Sequence, residues 1–412
     1  MTTSHTLPIP PAPAPATPAA ARTVLAWLPR IRHGRLSLEM PDGRVAHFGE
    51  AHARPQATLR LHNWKPCAAV LRRGDIGAAE TFIAGDWSSP DLSGLLTLLV
   101  ANREHFDALV YGSWWGSLLH RLRHALNRNS RRGSRDNIRA HYDLGNAFYA
   151  LWLDPSMNYS SAWFEGRHDA DLERAQSAKM RRALRQAGVR SGSRVLEIGC
   201  GWGALAELAA REFDARITGV TLSAEQLAYG QARLQAAGLG QRATLRFQDY
   251  RELAGGPPQE RYDAIVSIEM FEAVGHAYWG EYFAAVKRNL GADGRACIQT
   301  ITIRDDLFDR YLRSTDFIQQ YIFPGGLLPS AARFRAAAAA AGLRVVDEFA
   351  FGLDYAETLR RWRASFLAAE ASVRALGFDT RFMRTWEFYL AYCEAAFVNG
   401  NTSVVQFTLQ HA

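Results

Sequence analysis

Residues 194–203 read Arg-Val-Leu-Glu-Ile-Gly-Cys-Gly-Trp-Gly, and this stretch decides the fold. Its first half is short, apolar and preceded by Ser-Gly-Ser, the pattern of a buried parallel strand. Glycines then alternate at 199, 201 and 203. A side chain there would obstruct a ligand lying against the backbone, and glycine alone readily tolerates the positive φ of such turns. A helical pattern begins at about Ala204, so a helix N-terminus faces the same place. Strand, glycine turn and helix together form the first unit of an open α/β sheet, whose ligands sit beyond the carboxyl ends of the strands.

The spacing is G-x-G-x-G, without the third turn of the G-x-G-x-x-G dinucleotide fingerprint. Glu197 stands at the strand end, where an anion repels a phosphate and attracts an amino group. The combination resembles motif I of the class I S-adenosylmethionine-dependent methyltransferases. That resemblance implies S-adenosylmethionine as cofactor, held by Glu197, Gly199, Cys200, Gly201 and Gly203. An ordinary strand–helix turn is the alternative, but three glycines and an acid at one strand end are costly without a ligand.

With 412 residues, two domains are the natural expectation. The net charge of +7 is diffuse and favours an anionic partner. A membrane surface and nucleic acid both fit the charge, but no nucleic-acid reader motif is present. The four cysteines (67, 200, 297 and 393) lie far apart with no C-x-x-C, so neither a metal site nor a disulfide framework is expected, and a reducing cytoplasm fits. No signal-peptide pattern occurs, and the apolar runs are too short to span a bilayer. Contact with lipid would therefore be peripheral, at the inner face of the membrane.

Residues 1–20 form a Pro/Ala-rich tail, read as disordered or polyproline-like. Residues 21–126 read as a smaller mixed α+β N-terminal domain for lipid contact or dimerisation. It has strand-like runs at 34–40, 44–49, 57–61 and 68–72, a Pro41-Asp42-Gly43 turn, and helical periodicity at 76–83 and 92–109. Arginines recur at 121, 123, 128, 131, 132, 135 and 139. Residues 127–140 read as a basic linker, either a solvated connection or a patch for anionic head groups. Residues 141–412 alternate strands (195–198, 216–220, 244–248, 264–268, 296–303, 344–351) with helices (204–213, 223–237, 278–290, 330–341). The expected fold is thus α/β, a doubly wound class I methyltransferase (Rossmann-like) sheet.

Several strand ends carry polar candidates. Thr221, Ser223 and Gln226 follow the second strand, where such sheets usually place an acid for ribose hydroxyls; Ser223 with Gln226 also reads as a capping box. Gln248, Asp249 and Tyr250 follow the third and would bond or flank an adenine, unless they are a turn Asp with a packing Tyr. The fourth runs into two carboxylates three apart, ending at Glu272 among Met270, Phe271 and Val274. Such desolvation raises a carboxyl pKa or creates a strong hydrogen-bonding role; a helix-capping acid is the alternative. Residues 141–163 are dense in aromatics and small polar groups and read as a lid, with Tyr159 and Ser160 facing the cofactor. Aromatic segments at 321–330, 355–362 and 386–394 suit a carbocation through cation–π attraction, or a core stripe.

Together these segments resemble the cyclopropane-fatty-acyl-phospholipid synthase family, which includes the mycolic acid cyclopropane synthases. The similarity covers roughly 135–410 and rests on 141–146, 154–161, 195–203, 219–226, 266–275, 323–330 and 391–397, in the family's order. It implies that a cis double bond of a membrane phospholipid acyl chain attacks the methyl of S-adenosylmethionine. A base then removes a proton from that methyl and a cyclopropane ring closes. The family's base is thought to be bound bicarbonate, whose holders map onto Glu272, the Ile301 backbone, Tyr355 and Gln299. The family also implies a homodimer through the N-terminal domain. Gln299 stands where the synthases commonly carry His, and Ser161 where they often carry Cys, so a backbone amide would serve at 161. Cys393 matches a family cysteine once taken as catalytic; among Tyr389, Tyr392 and Phe397 its thiol is expected to stay neutral. These departures bear on ring closure more than on methyl transfer, and leave a methyl-branched or methylene product as the alternative. A small-amine N-methyltransferase and a non-enzymatic lipid-surface protein are the more distant readings.

Overall fold

Alternating apolar residues between 35 and 61 fold into a small sheet of β1 (Arg35–Glu39), β2 (Val45–Gly49), β3 (Gln56–Leu61) and β4 (Trp87–Ser88), in the order β2-β1-β3-β4. The computed structural model describes residues 17–105 and 144–412, and the chain divides into two units, 1–112 and 113–412. In the first unit the turn at 41–43 joins β1 and β2 as an antiparallel pair, while β3 lies parallel to β1. The expected strand at 68–72 is instead part of the helix Lys65–Ala84. A short apolar run does not separate strand from helix by periodicity. Here Pro66 in the first turn and a left-handed Gly85 at the C-cap bracket a helix. The helix Leu92–Ala101 starts at Asp91, whose carboxylate accepts the Gly94 N–H at 3.0 Å. At the start of the unit the helix Ala19–Leu25 enters the segment expected to be tail. The rest of that tail, the end of the helical pattern at 92–109, the basic linker and His141 lie outside the described residues.

The second unit holds β5 (Arg194–Ile198), β6 (Arg216–Thr221), β7 (Ala243–Phe247), β8 (Tyr262–Ile268), β9 (Leu290–Ile303), β10 (Leu343–Ala350) and β11 (Thr402–His411). They form one sheet in the order β10-β11-β9-β8-β5-β6-β7. Neighbours are parallel except that β11 runs antiparallel to both β9 and β10. The six expected strands are present; β11 was not anticipated. Its Gln406 and Thr408 are buried, and polar residues at alternate positions disguise a central strand as a solvated one.

Alternate residues of the strands feed two cores on opposite faces. Leu196, Ile198, Ile265, Ile298 and Phe407 pack with Phe271, Phe283 and Phe334. Val195, Ile217, Ala264, Val266 and Cys297 pack with Leu205, Leu208 and Met180. The four expected helices are present at Ala204–Glu212, Ala224–Ala236, Trp279–Asn289 and Ala331–Ala340. Three more, Leu172–Gln186, Gly352–Ala368 and Thr380–Val398, complete the surround of the strand ends. The strand order reverses between β5 and β8, which is where such sheets bind ligands. No helix among the described residues is long and apolar enough to cross a membrane.

Phe334 is fully buried, stacked 4.1 Å from Phe407 and edge-on to Phe271 and Phe283. Phe334→Ala should therefore destabilise the second unit by about 3–5 kcal/mol, read as a lowered midpoint in urea unfolding.

Candidate active site

Beyond β5, β6 and β8 lies a cavity of about 170 Å³. Gly199 and Gly201 form its floor with φ of +86° and +49°, and a Cβ at Gly201 would meet no protein atom within 4 Å. The space a side chain would take at 201 is thus the space of the ligand. Glu197 lines the same cavity, 3% exposed, and its Oε2 has no hydrogen-bond partner. Burial raises its pKa well above the usual value, against the pull of the Lys179 charge. An orphaned carboxylate oxygen beside the glycine turn fits the ammonium of the cofactor's amino-acid end. Cys200, Thr221, Gln226, Gln248 and Tyr250 complete the wall, as expected.

Three expected ligand residues have other duties. Gly203 does not line the cavity; a Cβ there would press the Gly230 backbone at 3.2 Å, so the third glycine serves helix packing. Ser223 caps the helix Ala224–Ala236 by accepting the Gln226 N–H at 3.3 Å. The reciprocal half of a capping box is missing, because the Gln226 side chain bonds Thr221 at 3.2 Å. Asp249 turns away into a buried ion pair with Arg251 at 2.5 Å.

The lid segment does face this cavity. Tyr159 Oη bonds Tyr389 Oη at 2.8 Å, and Ser160 Oγ accepts from Lys179 Nζ at 2.6 Å. Trp202 Nε1 donates to Asn146 Oδ1 at 2.7 Å, tying the glycine turn to the helix Asn146–Ala150.

A second cavity of about 230 Å³ shares Tyr159, Glu269 and Ala273 with the first. Its wall is largely apolar and aromatic, with Phe323, Leu327, Leu359, Tyr389 and Phe397 around a few carboxylates. That is the composition of a site for a long hydrocarbon with one reactive point. Cys393 lines it, with its thiol pushed up by burial and by Asp316, so it stays neutral as expected.

Two carboxylates sit at the junction, and their surroundings differ. Glu269 Oε1 accepts from the Ser161 N–H at 2.8 Å and from Gln299 Nε2 at 2.7 Å, while Oε2 accepts from Tyr355 Oη at 2.7 Å. Its backbone is left-handed, φ +48°, a strained conformation for a residue with a side chain. Burial raises the Glu269 pKa, opposed by the Lys179 charge and the three donors. Glu272 Oε1 accepts the Ile301 N–H at 2.5 Å, and its buried Oε2 has no partner. Burial and the charge of Glu269 push Glu272 up to about 8. The pair is thus asymmetric: three donors and the Lys179 charge favour the carboxylate form of Glu269, whereas Glu272 is held protonated at neutral pH.

This arrangement corrects the expectation for bicarbonate. Gln299 is fully buried behind Glu269 and lines neither cavity. Gln299, Tyr355 and the Ser161 amide are all engaged by Glu269, and the Ile301 amide by Glu272. A second anion would find no donor and a carboxylate in its place, so the residues do not fit the group. Ser161 contributes its backbone alone; its hydroxyl donates to the Ala162 carbonyl at 2.9 Å. Sequence reasoning noted the pair of carboxylates but assigned the work to Glu272. It missed Lys179 altogether, since a lysine on a charged helix reads as solvated.

Residues 129–407 match the family described as mycolic acid cyclopropane synthetase. The chain belongs to that family. It is 40% identical over 387 residues to the tuberculostearic acid methyltransferase UfaA1 of Mycobacterium tuberculosis, covering 92% of this chain and 88% of that protein. It is 34% identical over 350 residues to the cyclopropane-fatty-acyl-phospholipid synthase of Escherichia coli, covering 83% and 84%. Among solved structures, the mycolic acid cyclopropane synthase CmaA1 complexed with SAH and CTAB superposes with a TM-score of 0.62 at 34% identity, covering 67% of this chain and 98% of that one. The family member described here is an S-adenosylmethionine-dependent methyltransferase with the class I fold.

Gly201→Val should weaken S-adenosylmethionine binding by about a hundredfold through backbone strain and lost space, measured by calorimetric titration. The raised Glu272 has a linkage signature. Its carboxyl goes from an ordinary 4.5 to about 8 on folding, so its contribution is fully present below 4.5 and is lost as pH rises through 8. Glu272→Gln should flatten that fall, visible as a smaller drop in Tm between pH 5 and about 9.

Proposed function

We propose that this enzyme transfers a methyl group from S-adenosylmethionine to a carbon of a cis double bond in a membrane phospholipid acyl chain, with Glu269 as the base. One observation carries the reading: Glu269, with three hydrogen-bond donors on its carboxylate, lines both cavities at once. S-adenosylmethionine supplies an electrophilic methyl when bound. Glu197 would take its ammonium, the glycine turn its close approach to the backbone, and Gln248 and Tyr250 its adenine.

The alkene carbon forms a bond to the methyl as the sulfur–methyl bond breaks, leaving a cation on the neighbouring carbon. The faces of Tyr159, Phe323 and Tyr389 stabilise that cation, and the apolar wall excludes water that would trap it. A hydride moves from the methylated carbon to its cationic neighbour. A proton then leaves the methyl for Glu269, and its bonding pair becomes the double bond of a methylene branch on the chain. If no hydride moves, loss of the same proton closes a cyclopropane ring. Both routes end with Glu269 protonated.

The methylene route is favoured by the way Glu269 is held. Three donors draw its oxygens into the wall, so proton removal is slow relative to hydride shift. The tuberculostearic acid methyltransferase and a probable fatty acid methyltransferase of Pseudomonas putida, 39% identical over 277 residues, support the branched outcome. The ring remains a second reading, supported by the family itself and by the Escherichia coli synthase. The peripheral contact with a membrane surface is part of the same proposal.

Vesicles of dioleoyl phosphatidylglycerol with S-adenosylmethionine should yield olefinic methylene protons by NMR; high-field ring protons would move the assignment to the second reading. Glu269→Gln should lower turnover by about 10²–10⁴-fold with cofactor affinity nearly unchanged. Depleting bicarbonate should leave the wild-type rate as it was. A rate that rises with added bicarbonate would remove Glu269 from its role.

A further inference from the structure

The helix Leu172–Gln186 turns Gln176, Lys179 and Arg182 toward the sheet, one every third residue. Arg182 has its guanidinium 3.9 Å over the Phe349 ring and its Nη2 on Asp347 at 3.1 Å. Its Nη1 donates to Gln406 Oε1 at 2.7 Å. Gln406 Nε2 donates to Gln299 Oε1 at 3.0 Å and to the Lys179 carbonyl at 3.2 Å. Gln299 Nε2 donates to Glu269 Oε1 at 2.7 Å. Gln406 on β11 and Gln299 on β9 are register partners, and both are fully buried.

A carboxamide has nearly the same shape either way round, but one end donates and the other accepts. A guanidinium only donates. Arg182 holds the carbonyl end of Gln406 toward itself, and the Lys179 carbonyl, which only accepts, holds the amino end on the other side. The amino end of Gln406 then holds the carbonyl end of Gln299, and Gln299 is left offering N–H to the carboxylate. With the two amides reversed, a carbonyl oxygen would face Glu269.

We propose that Arg182, acting through Gln406 and Gln299, is a positioning residue for Glu269, because it and the Lys179 carbonyl set the direction of a two-amide relay so that the base always meets a donor. The proposal rests on the reading of Glu269 as the base. Glu269 is also faced by Lys179 from the helix Leu172–Gln186, by Tyr355 from the helix Gly352–Ala368 and by Glu272 from its own loop, with Glu197 and Asp154 beyond Lys179. Lys179 and the Tyr355 hydroxyl favour the carboxylate, and a charge on Glu272 opposes it. Loss of the Gln299 donor removes one stabiliser of the ionised form, so the ionisation midpoint of Glu269 moves to higher pH.

The test is a ¹³C-NMR titration of the full chain labelled at the glutamate carboxyl carbons, with the Glu269 signal identified by its loss in Glu269→Gln. Arg182→Met should raise the Glu269 midpoint in the same direction as Gln299→Leu but by less, because the Lys179 carbonyl still anchors Gln406. The double variant should go no further than Gln299→Leu, and Arg182→Lys should restore most of the shift. In the vesicle assay near neutral pH, Arg182→Met should lower kcat severalfold, short of the about tenfold loss of one whole hydrogen bond to a charged group, with KM for S-adenosylmethionine unchanged. A wild-type midpoint in Arg182→Met, or shifts that add in the double variant, would overturn the relay. Absence of methylated lipid from the wild type would overturn the proposed function alone, because the titration needs no substrate.

Discussion

A carboxylate held between two cavities is the constraint around which the second unit is arranged. Glu269 is half-buried at their junction, away from bulk water, and a carboxylate so placed without partners would favour its protonated form. Its carboxylate form is favoured because separate parts of the chain each send it something. The lid sends a backbone amide at Ser161, β9 sends Gln299, the helix Gly352–Ala368 sends Tyr355, and the helix Leu172–Gln186 sends the Lys179 charge. Lys179 is itself pulled down to about 8 by burial and held charged by Glu269, Asp154 and Glu197. Neither partner would remain ionised alone.

The two glutamates after β8 illustrate how environment divides chemically identical groups. They lie three residues apart, yet one faces three donors and the other the Ile301 amide. The charge of the first is part of what keeps the second protonated. Glu272 thus presents a neutral, hydrogen-bond-capable carboxyl to the largely apolar second cavity.

Much of this was legible in the sequence, for identifiable reasons. The stretch 194–203 carries its meaning locally, since a strand, an acid and glycines in a row leave few alternatives. Strand ends follow the same logic, and Thr221, Gln226, Gln248 and Tyr250 stand where expected. What was not legible depends on contacts distant in sequence. Gly203 differs from Gly201 because Gly230 packs against it, and Asp249 differs from Gln248 because Arg251 claims it. The family pattern points Gln299 at a bound anion in place of histidine, whereas in the structure its amide donates to the Glu269 carboxylate. The first unit shows the ordinary limit of periodicity, where residues 68–72 looked like a strand and two capping residues made them helix.

The insertion of β11 has a bearing on how the protein is made. A nascent chain that has emerged as far as residue 350 holds β5 through β10, but β10 has no place in the sheet until β11 enters between it and β9, antiparallel to both. Until then the open edge of β9 exposes unpaired N–H and C=O groups, the kind of edge that recruits strands from other chains. The strand that closes this gap also carries Gln406. Translation must therefore pass that residue before β9 is covered, and the same residue holds Gln299 against Glu269, so a truncated chain would lose its protection from aggregation and the support of that carboxylate in a single stroke.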